Sequence, residues 1–123
     1  MNSSINISVN PYYIPERSDP LRSHYVFAYH ITIKNNDEET FTLMSRHWHI
    51  TDGQGNTEDI YGPGVIGKTP TLDPGESFEY TSYCPLKTPM GFMEGSFRMA
   101  NVKGHEIDAK IKRFRLVAPQ VLN

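Results

Sequence analysis

The sequence predicts an all-β protein, folded as an antiparallel sandwich of about seven strands. Apolar residues alternate with polar ones in one segment after another, and clusters of Gly, Pro, Asn and Asp separate those segments. No stretch of about a dozen residues shows the spacing of an amphipathic helix. The nine prolines also fall where they would interrupt one.

The first two strands are predicted from alternation alone. Residues 5–9 alternate apolar and polar side chains, and Pro11 is expected to end that strand. The segment HYVFAYHITIKNN (residues 24–36) places apolar side chains at every second position over a length that indicates a strand. Asn and Asp residues at 35–37 then provide a turn.

Five further strands complete the predicted set. One lies in FTLMSRHWHITD (residues 41–52) and ends at the turn signal Asp52-Gly53. A short strand follows at residues 58–61. The last three are predicted in GESFEYTSYCPL (residues 75–86), GFMEGSFRMAN (residues 91–101) and EIDAKIKRFRLVAP (residues 106–119).

Trp48 refines the predicted fold class. It lies on the third strand, where immunoglobulin-like sandwiches often bury an aromatic residue. Cys84 is the single cysteine, so no disulfide can join the two sheets beside Trp48. The pattern therefore favours the fibronectin type III-like variety of the immunoglobulin-like sandwich.

Composition restricts the classes of function. Net charge is −2 and the pI is about 6.2, so no overall field attracts nucleic acid or anionic lipid. A single cysteine fits a reducing compartment. The N-terminal residues lack the basic and apolar regions of a signal peptide, and no apolar run is long enough to cross a membrane. We expect one cytoplasmic domain over residues 1–123, without a membrane partner.

A glycine-rich segment carries the most conspicuous motif. YGPGVIGKTPTLDPGE (residues 61–76) contains Gly-x-Gly-x-x-Gly, formed by Gly62, Gly64 and Gly67. A dinucleotide-binding fingerprint needs a helix after the glycines, and two prolines within residues 70–74 disfavour one. Two interpretations remain: an anion-binding nest of loop amides beside Lys68, or glycines that adopt positive φ in a tight connection. The second is favoured, because turns are commoner than nests.

Two histidines form a candidate metal site. His47 and His49 are two apart on a predicted strand, so both rings project from one face and could bind zinc or a similar metal. A third ligand would have to be His24, His30, His105, Asp52 or Asp59, and the sequence places none of them. Two surface or half-buried histidines are the favoured interpretation, and no metal is assigned.

No catalytic constellation is indicated. Cys84 has no evident histidine partner and is expected to act as a small hydrophobic residue. No Gly-x-Ser-x-Gly elbow is present. The prediction is a non-enzymatic protein without a cofactor.

The single basic run is KIKRFR, residues 110–115. On a regular strand Lys110 and Lys112 would face one way, and Arg113 and Arg115 the other, so the charge would be split. Nucleic-acid binding is therefore not expected, and the charges are assigned to protecting a strand edge from aggregation.

A partner surface is expected around the turn that precedes the sixth predicted strand. Met90 is a flexible side chain at this turn, and Phe92 is expected to face outward beside it. A lid over one end of the sandwich is the other interpretation of Met90 and Phe92, and it is the favoured one. The glycine loop is expected to lie next to this turn. The expected surface consists of Arg46, Thr88, Pro89, Met90, Gly91 and Phe92.

Several segments together resemble one family. GPGVIGKTPTLDPGESFEYTS (residues 62–82) is followed by LKTPMGFMEGSFRM (residues 86–99), with SRHWHITD (residues 45–52) upstream and FRLVAP (residues 114–119) near the end. This series closely resembles the bacterial ApaG family over nearly the whole chain. The combination of GxGxxG-x-x-P-x-L-x-P-G-E with T-P-x-G-x-M-x-G is specific.

The resemblance implies a fibronectin type III-like sandwich, one ApaG domain over residues 1–123, and no established enzymatic activity. Family members are associated with cobalt tolerance and magnesium efflux and are similar to proteins called CorD. Related domains are usually proposed to bind proteins, and a nucleotide site has been suggested at the glycine segment. The family usually has an aliphatic residue where this chain has His49, so a metal site there would be peculiar to this chain.

The sequence therefore predicts a non-enzymatic binding module with an unknown protein partner, in the context of cobalt and magnesium homeostasis. The alternatives left open are nucleotide or pyrophosphate binding at residues 62–67 and direct binding of a divalent metal. A homodimer also stays open.

Overall fold

Eight strands and two short 3-10 helices make up the computed structural model, which describes residues 4–119. The 3-10 helices, Pro15–Arg17 and Pro20–Arg22, lie between the first two strands. In chain order the strands are β1 (Ile5–Tyr13), β2 (Tyr25–Asn35), β3 (Phe41–Asp52), β4 (Thr57–Pro63), β5 (Thr71–Leu72), β6 (Ser77–Leu86), β7 (Met90–Asn101) and β8 (Glu106–Val117).

The strands form two antiparallel sheets that enclose the core. The first sheet has the order β1–β2–β6, and the second has the order β4–β3–β7–β8, with β5 paired to β3. No α-helix is present in the described residues. The predicted all-β antiparallel sandwich is confirmed, and the two-residue β5 is the strand that the sequence did not predict.

β1 continues through its proline. Pro11 pairs with Tyr29 of β2, and the strand runs on to Tyr13. The expectation that Pro11 ends the strand is wrong. Because β1 lies at the edge of its sheet, a residue without an N–H is tolerated there.

Aromatic side chains from both sheets meet at Trp48, as its position on the third strand predicted. Trp48 is buried, and its ring lies 5.2 Å from Tyr29 of the first sheet. Phe97 and Phe114 of the second sheet lie 6.3 and 6.0 Å away, edge to face. Such aromatic contacts add about 0.5–1.5 kcal/mol each to the free energy of burial.

A β-bulge in β8 resets which side chains face the core. Lys112 and Arg113 together lie opposite Glu94 of β7, where the register shifts by one residue. Ile111 before the bulge and Leu116 after it are both fully buried. A regular strand could not bury these two residues together, because they are an odd number of positions apart.

The bulge corrects the interpretation of the basic run. Lys110, Lys112, Arg113 and Arg115 are all exposed, so the expectation that the strand splits their charge is wrong. A bulge directs two successive side chains to one face, and the four cations consequently share the outer face of β8.

Gly95 allows β7 to approach β3 closely. A Cβ atom at this position would lie 2.0 Å from the carbonyl oxygen of His47 and 3.2 Å from the Cα atom of Trp48. These are backbone atoms within a paired strand, so no side-chain rotation can relieve the contact. Gly95 is therefore required by the register that holds Trp48 in the core.

We expect Gly95→Ala to lower the free energy of unfolding by about 3 kcal/mol or more, since overpacking against a backbone forces the strands apart. Urea denaturation measures the loss. Ser96→Ala, the next position on the same strand, is the matched control and should change stability by less than about 0.5 kcal/mol. Equal stability of both variants would contradict the close approach.

Candidate functional site

The glycine segment forms a tight hairpin after β4. The Val65 N–H donates to the Lys68 carbonyl and the Lys68 N–H donates to the Val65 carbonyl, both at 2.8 Å. Ile66 and Gly67 between them have φ of +44° and +76°, as a type I′ turn requires. The favoured interpretation of these glycines as turn formers is confirmed at Gly67, and at Gly64, whose φ is +56°.

Most of the loop amides are already bonded within the protein. The Gly64 N–H donates to the Met44 carbonyl at 2.9 Å, Val65 and Lys68 bond each other, and Pro63 has no N–H. The side chain of Val65 is buried in the core. An anion nest in the described loop would rest on the Ile66 and Gly67 amides at its tip, with the exposed Lys68 beside them.

Arg46 holds the glycine segment in place. Its guanidinium donates to the carbonyl oxygens of Pro63 (2.9 Å) and Gly64 (3.0 Å). A Cβ atom on Gly62 would lie 2.8 Å from the Arg46 Cζ, so a larger residue there would require the guanidinium to shift. Burial raises the pKa of the Tyr80 hydroxyl, and the positive charge of Arg46 opposes that rise. Both bonds use Nη1 of a half-buried side chain, so the expectation of Arg46 as a partner contact stays a prediction.

Two residues of the expected partner surface are buried in the packed structure. Thr88 is 8% exposed, and its Oγ1 accepts from the Gly53 N–H (2.8 Å) and donates to the Met90 carbonyl (2.7 Å). Gly91 is also buried, and a Cβ there would lie 2.6 Å from the Thr51 carbonyl oxygen. Thr88 and Gly91 therefore cannot offer side-chain surface to a partner.

Three residues of that segment keep accessible side chains. Pro89, Met90 and Phe92 are half-buried. The guanidinium carbon of Arg113 lies 3.9 Å from the centroid of the Phe92 ring, in a cation–π arrangement. Phe92 thus faces outward as predicted, with Arg113 over its ring.

The structure separates the two halves of the expected surface. Gly91 pairs with Asp52 at one end of β3, whereas Arg46 pairs with Gly62 and Phe97. Arg46 and Asp52 are six residues apart along β3, which corresponds to about 20 Å. The expectation that the glycine loop lies next to the 88–95 turn is wrong for residues 88–92, because strand register places these residues and the loop at different ends of the second sheet.

His47 and His49 converge on one carboxylate. Nε2 of His47 lies 2.8 Å and Nδ1 of His49 lies 3.0 Å from Oδ1 of Asp59. Tyr61 stacks on His47 at 4.3 Å with nearly parallel rings. The hydrogen bonds from His47 and then His49 lower the pKa of Asp59. The cluster is held by hydrogen bonds, and one nitrogen of each ring is already used.

The other candidate ligands do not join this cluster. His30 belongs to the first sheet, and the Asp52 carboxylate accepts from the N–H groups of Gln54 and Asn56. Across residues 4–119 no group of three or more His, Cys, Asp and Glu residues is arranged to hold a metal ion. Direct metal binding by His47 and His49 therefore has no preformed ligand set here.

His30 lies between a hydroxyl and a carboxylate. Its Nδ1 is 2.8 Å from Thr81 Oγ1, and its Nε2 is 2.8 Å from Glu79 Oε1. A hydroxyl, an imidazole and a carboxylate in series are the parts of a nucleophilic triad. Here they lie on the outer face of the first sheet, the Glu79 side chain is 60% exposed, and paired strands surround them. Cross-strand pairing explains the arrangement, since the side chains of two residues on one strand contact a histidine on the neighbouring strand.

Cys84 behaves as the sequence predicted. It is buried, and burial raises the pKa of its thiol to about 12. A thiol with that pKa carries almost no thiolate near neutral pH, so it is a poor nucleophile. No helix among residues 4–119 is long and apolar enough to cross a membrane.

Comparison with known proteins decides the family. Residues 15–101, more than half of the chain, match the ApaG domain model. The protein named ApaG from Mesorhizobium japonicum is 48% identical over 94% of this chain and 89% of its own length. The ApaG protein of Azotobacter vinelandii is also 48% identical, over 97% of this chain and 94% of its own. The chain belongs to the ApaG family.

A solved structure supports the same conclusion for the fold. The crystal structure of a Bordetella pertussis protein that carries the name ApaA superposes with a TM-score of 0.92. It is 43% identical to this ApaG-family chain and covers 97% of each chain. The resemblance carried by the glycine and Thr-Pro motifs is therefore confirmed, and so is the sandwich that it implied.

One feature of this ApaG domain was not predicted from the sequence. A groove of about 990 Å³ runs between β1 and β8, where Ile7 and Ile107 contribute apolar surface, Lys110 and Lys112 contribute positive charge, and Asp37, Glu39 and Asp108 contribute negative charge. A signal for the charged face was present: apolar positions in β8 change from odd to even numbers after Ile111, which indicates a bulge.

We expect Gly64→Ala to destabilise the protein more than Gly67→Ala. At Gly64 an added Cβ would lie 2.1 Å from the Lys68 carbonyl oxygen, whereas at Gly67 it would meet nothing within 4 Å. Both positions have positive φ, so Gly67→Ala should cost about 1–2 kcal/mol for that strain alone and Gly64→Ala about 3 kcal/mol or more. Urea denaturation of both variants tests this, and equal losses would contradict the hairpin geometry.

We expect the carboxyl of Asp59 to titrate below 3.8 in the folded protein, because His47 and His49 hydrogen-bond its ionised form. A lowered pKa means that Asp59 stabilises the fold above the unfolded pKa and that this contribution is lost as pH falls through the folded pKa. Carbon-detected NMR titration measures the value. The double variant His47→Ala, His49→Ala should return it toward 3.8, and His30→Ala should not; an unchanged pKa in the double variant would refute the cluster.

Proposed function

We propose that this ApaG-family sandwich is a non-enzymatic binding module that recognises a protein partner. The observation that supports this most directly is the openness of its surface. The groove between β1 and β8 is partly open to solvent, and so is the second concavity, about 320 Å³ over Ser45, His47, Ser96 and Arg98. Small substrates are usually enclosed by a pocket, whereas protein partners dock on open surfaces.

The chemistry of the candidate groups supports the same proposal. The thiol of Cys84 is buried and protonated. The two histidines of the second sheet are bonded to Asp59. The Thr81–His30–Glu79 series on the first sheet is the strongest argument for catalysis, but none of these three residues lines either of the two concavities described above.

A link to divalent-cation homeostasis is part of the proposal and rests on the family resemblance. The absence of a preformed ligand group among residues 4–119 favours an indirect link. In that case the module acts on cobalt or magnesium levels through the protein that it binds, and it does not hold the metal itself.

Affinity capture with surface variants tests the proposal. The wild-type protein is immobilised, host lysate is passed over it, and captured proteins are identified by mass spectrometry. Three variant sets of unchanged melting temperature are compared: Tyr12→Ser with Tyr83→Ser on the first sheet, Tyr61→Ser with Arg98→Ser on the second, and Lys112→Glu with Arg115→Glu on β8. We expect one partner that one of these sets loses and the others keep.

The same variants then test the cation context and the absence of catalysis. A deletion strain is complemented with each variant and grown with added cobalt or with limiting magnesium. The variant set that loses the partner should also lose cation tolerance. Hydrolysis of p-nitrophenyl acetate that Thr81→Val abolishes, or a capture pattern that no variant changes, would overturn the proposal.

A further inference from the structure

We propose that two copies of this chain associate in solution through the outer edge of β4. The two β4 strands pair antiparallel about a two-fold axis at Ile60, so that the second sheets of both copies join into one continuous sheet. The inference goes beyond the proposed function and does not depend on it.

β4 lies at the end of its sheet and has one unoccupied side. It pairs with β3, and no other described strand runs along it. Glu58 and Asp59 are exposed, Ile60 is 37% exposed and Tyr61 is 73% exposed. An exposed edge strand is a template for pairing with another chain.

The register of β4 with β3 determines which backbone groups face this open side. The Gly64 N–H donates to the Met44 carbonyl, and the Asp52 N–H donates to the Asn56 carbonyl, both at 2.9 Å. These two pairs continue the β3–β4 register at either end. Hydrogen-bonded pairs alternate along an antiparallel ladder. The even-numbered residues of β4 therefore bond to β3, and the odd-numbered ones direct their N–H and C=O groups away from it.

Three residues of β4 consequently carry a donor and an acceptor at the open edge: Thr57, Asp59 and Tyr61. Among the described residues, no backbone hydrogen bond outside the strand ladders uses an atom of these three. Pro63 has the same parity, so its missing N–H costs no bond to β3. The edge is thus built to pair with a second strand over Thr57 to Tyr61.

One register suits two copies of this edge best. Pairing centred on Ile60 places each Ile60 opposite its own copy and each Asp59 opposite Tyr61. A slip of two residues in one direction would bring the two Asp59 carboxylates directly opposite each other, which destabilises a strand pair. The opposite slip shortens the paired segment and places Pro63, which has no N–H, opposite Asp59. The register centred on Ile60 avoids both defects.

The same register joins charges of opposite sign. It places Glu58 of one copy opposite Gly62 of the other, and the Arg46 guanidinium lies over Gly62, where an added Cβ would be 2.8 Å from Cζ. Opposite Cβ positions are about 4.5–5.5 Å apart, so Glu58 can reach the Arg46 of the second copy. Arg46 uses Nη1 for the loop carbonyls, which leaves Nη2 and Nε for a carboxylate. Within residues 4–119 neither Glu58 nor Arg46 has an ion pair.

The carboxylates on the other face of the joined sheet do not oppose this pairing. The two Asp59 side chains become diagonal neighbours, about 7–8 Å apart. Each is hydrogen-bonded by His47 and His49 of its own copy. The like charges are therefore both separated and partnered.

An unrelated extended segment matches this edge less well than a second copy does. Backbone pairing accepts many sequences, but charged side chains on an edge strand usually discourage it. A strand without a cation at the position of Arg46 would leave Glu58 unpaired. The reciprocal contact of Glu58 with Arg46, repeated on both sides of the axis, favours a second copy.

Sedimentation velocity and amide exchange of the full-length protein test the inference. One strand pair is a small interface, so we expect a dissociation constant between about 10 µM and 1 mM. Raising the concentration through this range should convert monomer into dimer. Hydrogen exchange of the Asp59 and Tyr61 amides should slow as the dimer forms. The Glu58 and Ile60 amides, which already bond to β3, should change less.

Substitutions at the axis test the register. Ile60→Lys and Ile60→Glu each place like charges opposite each other and should raise the dissociation constant roughly fivefold or more. An equimolar mixture of the two variants pairs lysine with glutamate and should return the constant to within about threefold of the wild type. Val102→Lys, at an exposed turn position, is the matched control and should change it by less than about twofold.

Charge reversal tests the contact with Arg46. Glu58→Lys places two cations together on each side of the axis and should raise the dissociation constant roughly tenfold. Glu38→Lys makes the same change in net charge at an exposed position of the β2–β3 turn and should change it by less than about twofold. Melting temperatures establish that the variants are folded, and amide exchange of the wild type decides the question for any that is not.

Several results would overturn the inference. These are a protein that stays monomeric up to about 1 mM, a dimer that persists in Ile60→Lys, a mixture of the Ile60 variants that does not associate, and slowed exchange confined to another strand. Affinity capture gives an independent answer on the proposed function. A captured partner without a dimer leaves that function standing, and a dimer without a captured partner leaves the β4 interface standing.

Discussion

Every strand of this sandwich must keep its apolar side chains between the sheets, and β8 satisfies that requirement only through its bulge. A regular strand that buries Ile111 would turn Arg113 and Arg115 inward and Phe114 and Leu116 outward. Burial of each guanidinium would cost several kcal/mol, and exposure of each apolar side chain would forfeit about 1.5–3 kcal/mol. The bulge leaves about one ladder hydrogen bond unmade, worth about 1 kcal/mol. The shifted register is therefore strongly favoured, and the charged outer face of β8 is its consequence.

The glycine segment shows why a motif depends on its surroundings. The same Gly-x-Gly-x-x-Gly spacing that can hold a pyrophosphate before a helix here closes a hairpin, because the Val65 and Lys68 amides bond each other. Arg46 adds two hydrogen bonds to loop carbonyls, and each is worth about 1.5–3 kcal/mol for a charged donor. The residues that look like a ligand site thus close the edge of the core.

Side-chain alternation carries enough information to predict the sandwich and the burial of Trp48, since both depend on short-range pattern. Three features of the structure could not be predicted from side-chain alternation. Pro11 is tolerated because β1 is an edge strand, and edge position is a property of the whole sheet. The separation of Arg46 from the 88–92 turn follows from register between distant segments. The convergence of His47 and His49 on Asp59 requires the pairing of β3 with β4. The bulge could have been predicted, because the apolar positions in β8 change between odd and even numbers. The assumption that β8 is a regular strand concealed this change.

The local charge on parts of the surface differs from the net charge of the protein. The protein carries −2 overall, yet β8 has four cations on one face, and Asp37, Glu38 and Glu39 lie together at the β2–β3 turn. Screening limits each group to about 8 Å at physiological salt, so a partner senses the local stripe and not the total. Asp37 and Glu39 line the same groove as Lys110 and Lys112, so positive and negative side chains meet along this surface. A charged partner is therefore attracted or repelled by the local arrangement of these side chains and not by the nearly neutral total.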